Sequence, residues 1–138
     1  MKDDYAVNSF FNKFVKTSNF HKNSIIIDHS TISLRQIDVL SSLFKQRKVK
    51  FLDAPITGGE EGAKKGSLSV MVGGTLSNFI KSKIIISSYS KSITHMGKLG
   101  SGQLTKFTNQ ILICGILYSM SEAYFCLLYT SPSPRDPD

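Results

Sequence analysis

An α/β domain that runs into a long apolar helix is the fold this sequence predicts, and three observations predict it. The short apolar runs KNSIIID, VKFLDAPITGG and SLSVMVGG each end at an aspartate, a proline or a glycine pair. Between them lie segments whose apolar residues recur at helical spacing. The apolar stretch that follows Gly102 continues far beyond strand length. Strand and helix alternating in this rhythm argue for a largely parallel sheet.

Each element has its own signal. Tyr5–Lys16 places Tyr5, Phe10, Phe11, Phe14 and Val15 in a loose helical pattern, and KNSIIID is a buried strand ending at Asp28. A helix follows, opened by the cap residues Ser30 and Thr31, with Leu34, Ile37, Leu40 and Phe44 on one face and basic residues in its last turn. VKFLDAPITGG is a second strand, broken by Pro55 and Gly58–Gly59. EEGAKKG supports one or two helical turns, with Glu60–Lys64 and Glu61–Lys65 at i,i+4 spacing. SLSVMVGG is a third strand, TLSNFIKSKIII a helix opening on Thr75, and SITHMG a last strand before the long helix. No G-x-G-x-x-G turn occurs, and GKLGSG has its glycines in a different order.

The composition limits the function. With 138 residues, 41% hydrophobic and 20% charged, the chain is long enough for one domain with a core. The net charge of +7 comes from lysines scattered singly or in pairs, without the aromatic-interleaved stripe of a nucleic-acid binder. Cys114 and Cys126 stand in apolar surroundings with neither disulfide-scaffold nor metal-ligand spacing, which suits a reducing compartment. MKDDYAVNSFFNKF lacks the basic and apolar regions of a signal peptide, and the run ILICGILY is shorter than a membrane span. The expectation is a soluble cytoplasmic protein with a small-molecule substrate and no nucleic-acid, membrane or metal partner.

CLLYTSPSPRD, Cys126–Asp136, is expected to break the long helix into a Ser/Pro segment. Its eleven residues fit one reading frame of a transposase-type sequencing adapter. Residues 126–138 therefore read as an adapter-derived or disordered tail on a gene fragment cut near Phe125.

Three places could carry chemistry. Thr57-Gly58-Gly59 leads from a strand into a short helix, where free main-chain N–H groups and a hydroxyl can hold an anion such as a carboxylate. A plain turn using glycine for positive φ explains the same residues. The loop DHSTIS leaves a strand end with Ser30 and Thr31, where open α/β sheets bind ligands, although helix capping accounts for them equally. Lys106 lies on a polar stripe with Gln103 and Asn109/Gln110. The ammonium of a lysine in a closed, partly apolar cleft is disfavoured, which fits it for proton transfer. Asn109, one turn on, could hold a substrate oxygen. Snorkelling to solvent is the alternative. His21, His29 and His95 have no partners at metal or triad spacing and read as surface or structural residues.

The strings IIIDHSTIS, FLDAPITGGEEGAKKGSLSVMVGG and GKLGSGQLTKFTNQILICGIL, in this order, resemble the β-hydroxyacid dehydrogenases. That family includes 3-hydroxyisobutyrate dehydrogenase and tartronate semialdehyde reductase. The likeness runs from about Ser24 to about Phe125, and less clearly back to Tyr5.

The resemblance implies the C-terminal portion of a Rossmann-like dinucleotide-binding domain over residues 1–99. The first helix of an all-helical second domain would then begin over residues 100–125. It also implies NAD or NADP as cofactor, with Ser30 and Thr31 beside the nicotinamide ribose. Thr57, Gly58 and Gly59 would hold the substrate carboxylate, Lys106 would be the general acid/base, and Asn109 would position substrate. Thr57 stands where serine is commoner, and Gln110 where many members have a second asparagine. The upstream strands carrying the glycine-rich turn are expected to precede this chain, leaving it an inactive fragment of an enzyme that is homo-oligomeric at full length. The competing readings are a catalytically dead dehydrogenase-like oligomerisation or binding module, and a basic binding protein.

Overall fold

Asp3 starts the first helix, its Oδ1 accepting from the Ala6 N–H at 2.7 Å in the computed structural model, which describes residues 3–21 and 23–130. That helix, α1 (Asp4–Thr17), buries Val7, Phe11 and Val15, spaced four apart on one face. After β1 (Ile25–Asp28), helix α2 (Leu34–Gln46) is capped by Ser33, whose Oγ accepts from Gln36 N. The cap therefore lies later than Ser30 and Thr31, because both precede Ile32 in a loop held elsewhere by its main chain.

VKFLDAPITGG divides into β2 (Lys50–Asp53) and β3 (Ile56–Thr57), since Pro55 has no N–H for a ladder. Next come α3 (Gly59–Lys64), β4 (Leu68–Gly73), α4 (Leu76–Ile86, capped by Thr75), β5 (Ser90–Gly97) and α5 (Ser101–Thr130). The expected i,i+4 pairs form on α3, Lys64 with Glu60 at 2.6 Å and Lys65 with Glu61 at 3.0 Å. Both are exposed and add little stability.

The sheet has the order β1-β2-β4-β3, with β5 also paired to β4. It is mixed rather than largely parallel. β1 and β2 run parallel with Ile26 beside Phe51, as do β4 and β5, but β2 and β3 both meet β4 antiparallel. The cause is the short return through α3, whose few residues cannot make the crossover that a parallel neighbour needs. Successive β2 side chains face opposite ways. Phe51 joins Val7, Phe11, Leu40 and Phe44 under α1 and α2, whereas Leu52 joins Val70, Val72, Phe79 and Ile86 under α4. Two helical layers therefore cover the two faces of one sheet.

The chain forms two compact units, the first ending at Lys106 and the second starting at Phe107. Among its described residues the second unit is one stretch of helix, and a single helix cannot bury its own faces. Ile111 is 72% and Tyr129 75% exposed, and Cys114 and Cys126, which the sequence sets in apolar surroundings, are exposed as well. Ser101–Tyr129 is long and apolar enough to cross a membrane by length and composition, which the short run ILICGILY did not suggest. The core helix of a soluble protein passes the same test. The helix does not break at Cys126 but runs on through Thr130, the last described residue. The remainder of the expected tail, residues 131–138, lies outside the described residues.

Candidate active site

At the end of β2, Asp53 is 0% exposed and faces the start of α5. Its Oδ1 accepts from the Gly100 N–H at 2.7 Å and its Oδ2 from the Gln103 N–H at 3.0 Å. A carboxylate from the sheet thereby satisfies the free donors of the helix start. Burial raises the Asp53 pKa above its ordinary value, against the lowering effect of these main-chain donors. The helix approaches so closely that a Cβ on Gly102 would lie 2.4 Å from the Met71 carbonyl oxygen and 2.8 Å from Asp53 Oδ2. Only glycine fits there.

One turn into α5, Gln103 is also 0% exposed. Its Nε2 donates to the Ser30 carbonyl at 2.6 Å, and its Oε1 accepts from the Ile32 N–H at 3.4 Å. The Ser30–Thr31 loop is therefore fixed to α5. Inside that loop the Ser30 N–H donates to Asp28 Oδ1 at 2.9 Å, while the buried Asp28 Oδ2 has no hydrogen-bond partner. At its far end, Ser33 donates to Asp4 through both its N–H and its Oγ.

Another turn along, half-buried Lys106 donates from Nζ to the Ile56 carbonyl at 2.8 Å. Ile56 immediately precedes Thr57, Gly58 and Gly59, so the candidate acid/base and the candidate carboxylate turn share β3. Gly58 and Gly59 have φ of 129° and 61°, which only glycine adopts readily, and Gly58 opens α3 without a side-chain cap. Asn109 and Gln110 fall in the second unit.

His29 supports this region structurally. Its Nδ1–H donates to the Ala54 carbonyl at 2.6 Å, and its Nε2 meets the Tyr89 hydroxyl at 2.8 Å. A carbonyl can only accept, which fixes the proton on Nδ1 and leaves Nε2 to accept from Tyr89. Burial also raises the Tyr89 pKa. His95 donates to the Gly74 carbonyl at 2.8 Å and stacks on Phe79, while His21 is exposed. No group of three or more His, Cys, Asp or Glu among the described residues could hold a metal.

Sequence reading missed Asp53 and Gln103. Gln103 gave a signal in standing on the Lys106 stripe, but nothing near Asp53 in sequence points to α5. The residues fit the ribose end of a dinucleotide. The unpartnered Asp28 Oδ2 lies beside the half-buried Ser30 and Thr31, at the carboxyl end of a parallel strand.

Residues 1–97 match the family described as the NAD binding domain of 6-phosphogluconate dehydrogenase. The chain belongs to this family. The cofactor class of these NAD-binding domains is the one the sequence suggested. Among relatives, an uncharacterised oxidoreductase of Shewanella frigidimarina is 39% identical over 74% of this chain and 35% of its own length. The 2-hydroxy-3-oxopropionate reductase of Escherichia coli is 37% identical over 84% of this chain and 39% of its own. The mitochondrial 3-hydroxyisobutyrate dehydrogenase of Drosophila melanogaster is 36% identical over 75% and 32%. The solved Mycobacterium tuberculosis 3-hydroxyisobutyrate dehydrogenase with L-serine superposes with a TM-score of 0.87 at 25% identity, over 97% of this chain and 45% of that one. These names bear out the resemblance read from the D-A-P and Lys106 strings. The chain spans about a third of the length of the curated relatives it matches.

Proposed function

We propose that the full-length protein is an NAD(P)-dependent β-hydroxyacid dehydrogenase, and that this chain supplies its proton-transfer and carboxylate-binding residues. The observation that carries the reading is the 2.8 Å bond from Lys106 Nζ to the Ile56 carbonyl, which holds the amine beside Thr57-Gly58-Gly59. A substrate carboxylate bound by the Thr57 hydroxyl and the main-chain N–H groups of Gly58 and Gly59 brings the adjoining hydroxyl carbon towards Lys106. A neutral amine that donates one N–H to Ile56 keeps its lone pair free, so Lys106 accepts the substrate hydroxyl proton on oxidation. The ammonium returns that proton to the carbonyl oxygen on reduction. Bound nicotinamide supplies the hydride acceptor or donor. Ser30, Thr31 and Asp28 would hold its ribose.

The substrate class is a short β-hydroxyacid or the corresponding semialdehyde. We also read the full-length protein as a cytoplasmic homo-oligomer. The 138-residue chain alone is read as inactive, since it contains no G-x-G-x-x-G turn. Lys106→Ala in the full-length enzyme tests the assignment. Turnover should be abolished while NAD(P) binding, followed by nicotinamide fluorescence, is retained. Unchanged turnover would remove Lys106 from the mechanism.

A further inference from the structure

The lysines that look scattered in sequence do not stay scattered. Lys45 in the last turn of α2, Lys48 in the turn after it, Lys50 at the start of β2 and Lys98 after β5 line one cavity of about 460 Å³. Val49 and Leu99 give it an apolar wall. It lies at the amino end of β2, whereas Asp53, Ile56 and Lys106 gather at the carboxyl end.

Two further observations mark the cavity as electrostatically incomplete. No aspartate or glutamate lines it among the described residues, and none of the four lysines pairs with a carboxylate there. Lys64 and Lys65, by contrast, each have a glutamate partner. The four lysines are exposed, and their like charges around one concavity favour an anion there. Lys48 also holds φ at 58°, the left-handed conformation in which glycine ordinarily follows a helix end. A cation stands where the backbone favours glycine.

We propose that this cavity binds an oligophosphate anion, either free or as the phosphate chain of a nucleotide. Several phosphates in a row offer repeated negative charge, which suits a cavity lined by four lysines better than a single charge would. The site is independent of the dehydrogenase reading, because none of its residues takes part in that chemistry.

The test is calorimetric titration of the full chain with inorganic tripolyphosphate and, in parallel, with ATP. Saturable one-site binding is expected, weakening steeply as salt rises from about 0.05 to about 0.2 M. Lys45→Gln with Lys98→Gln should weaken it by about tenfold or more. Lys48→Gly should also weaken binding while leaving the unfolding temperature unchanged or higher, which separates loss of charge from loss of fold. Lys64→Gln with Lys65→Gln should have no effect. ATP binding more tightly than tripolyphosphate identifies the nucleotide as the source, and equal affinity identifies the phosphate chain alone. No saturable binding of either probe, binding insensitive to Lys45, Lys48 and Lys98, or equal weakening in the Lys64/Lys65 variant would overturn the proposal.

Discussion

Gln103 holds Ser30 across 73 residues of sequence, its Nε2 donating to the Ser30 carbonyl at 2.6 Å. Because Oε1 of the same amide accepts from Ile32, the loop after β1 and the first turn of α5 move as one body. Lys106 stands three residues further along that helix, so any ligand bound by the loop keeps a fixed relation to the amine.

Removing this bridge should therefore loosen the loop before it unfolds the domain. Gln103→Ala leaves the Ser30 carbonyl unpaired, at a cost on the order of 1–3 kcal/mol. Hydrogen exchange should quicken at the Ile32 amide while the β4 amides keep their protection. Unchanged exchange at Ile32 would show that the loop is held by other contacts.

Asp53 predicts a pH dependence with a definite sign. Unfolded, its carboxyl titrates near 3.8, and folded it titrates higher because burial disfavours the charge. Between those two values the folded state binds the proton more tightly than the unfolded state does. The stabilisation from this group is thus fully present below 3.8 and is lost as pH rises through the folded value. Asp53→Asn should abolish that part of the profile. It should also lower stability at neutral pH, because an amide cannot accept from both Gly100 and Gln103 without turning a donor towards one of them. Denaturant unfolding across acid and neutral pH checks both claims, and a variant that kept the wild-type slope would contradict the first.

What the sequence made legible was whatever depends on near neighbours. Short apolar runs located the strands, and Ile37, Leu40 and Phe44 located the buried face of α2, whereas on α1 the loose pattern mixed buried Phe11 and Val15 with exposed Tyr5 and Phe10 and passed over Val7. The mixed pairing of the sheet was not legible, because it depends on how far the chain travels through α3 before β4. Asp53 and Gln103 were missed for a related reason: their partners lie 50 and 73 residues away. Lys106 was reached through the resemblance of its motif, since a lysine on a polar stripe is equally at home in solvent. Lys45, Lys48 and Lys50 stand close together in KQRKVK, but nothing in the sequence brings Lys98, 48 residues further on, to the same cavity.

Gly102 should tolerate no side chain. Gly102→Ala drives a Cβ against the Met71 carbonyl oxygen and Asp53 Oδ2, both fixed atoms. The helix start must shift away from the sheet, costing about 1–3 kcal/mol. Gly115→Ala, whose Cβ meets nothing within 4 Å, is the matched control and should be neutral or stabilising. Equal unfolding midpoints for the two variants would refute the close approach of α5.

Lys106→Arg in the full-length protein tests the proposed proton-transfer role separately from charge and packing. Arginine keeps the positive charge and can still donate to the Ile56 carbonyl, so the fold and the carboxylate turn should survive. A guanidinium does not give up its proton near neutral pH and so cannot serve as the base on oxidation. Turnover should fall by about 10²–10⁴-fold, with the unfolding midpoint close to that of the wild type. A small added primary amine should restore part of the activity to Lys106→Ala, where space is left for it, and none to Lys106→Arg, where it is not. If the Lys106→Arg variant supported near-normal oxidation, Lys106 would be acting as a fixed charge, and the proton would have to leave the substrate by another route.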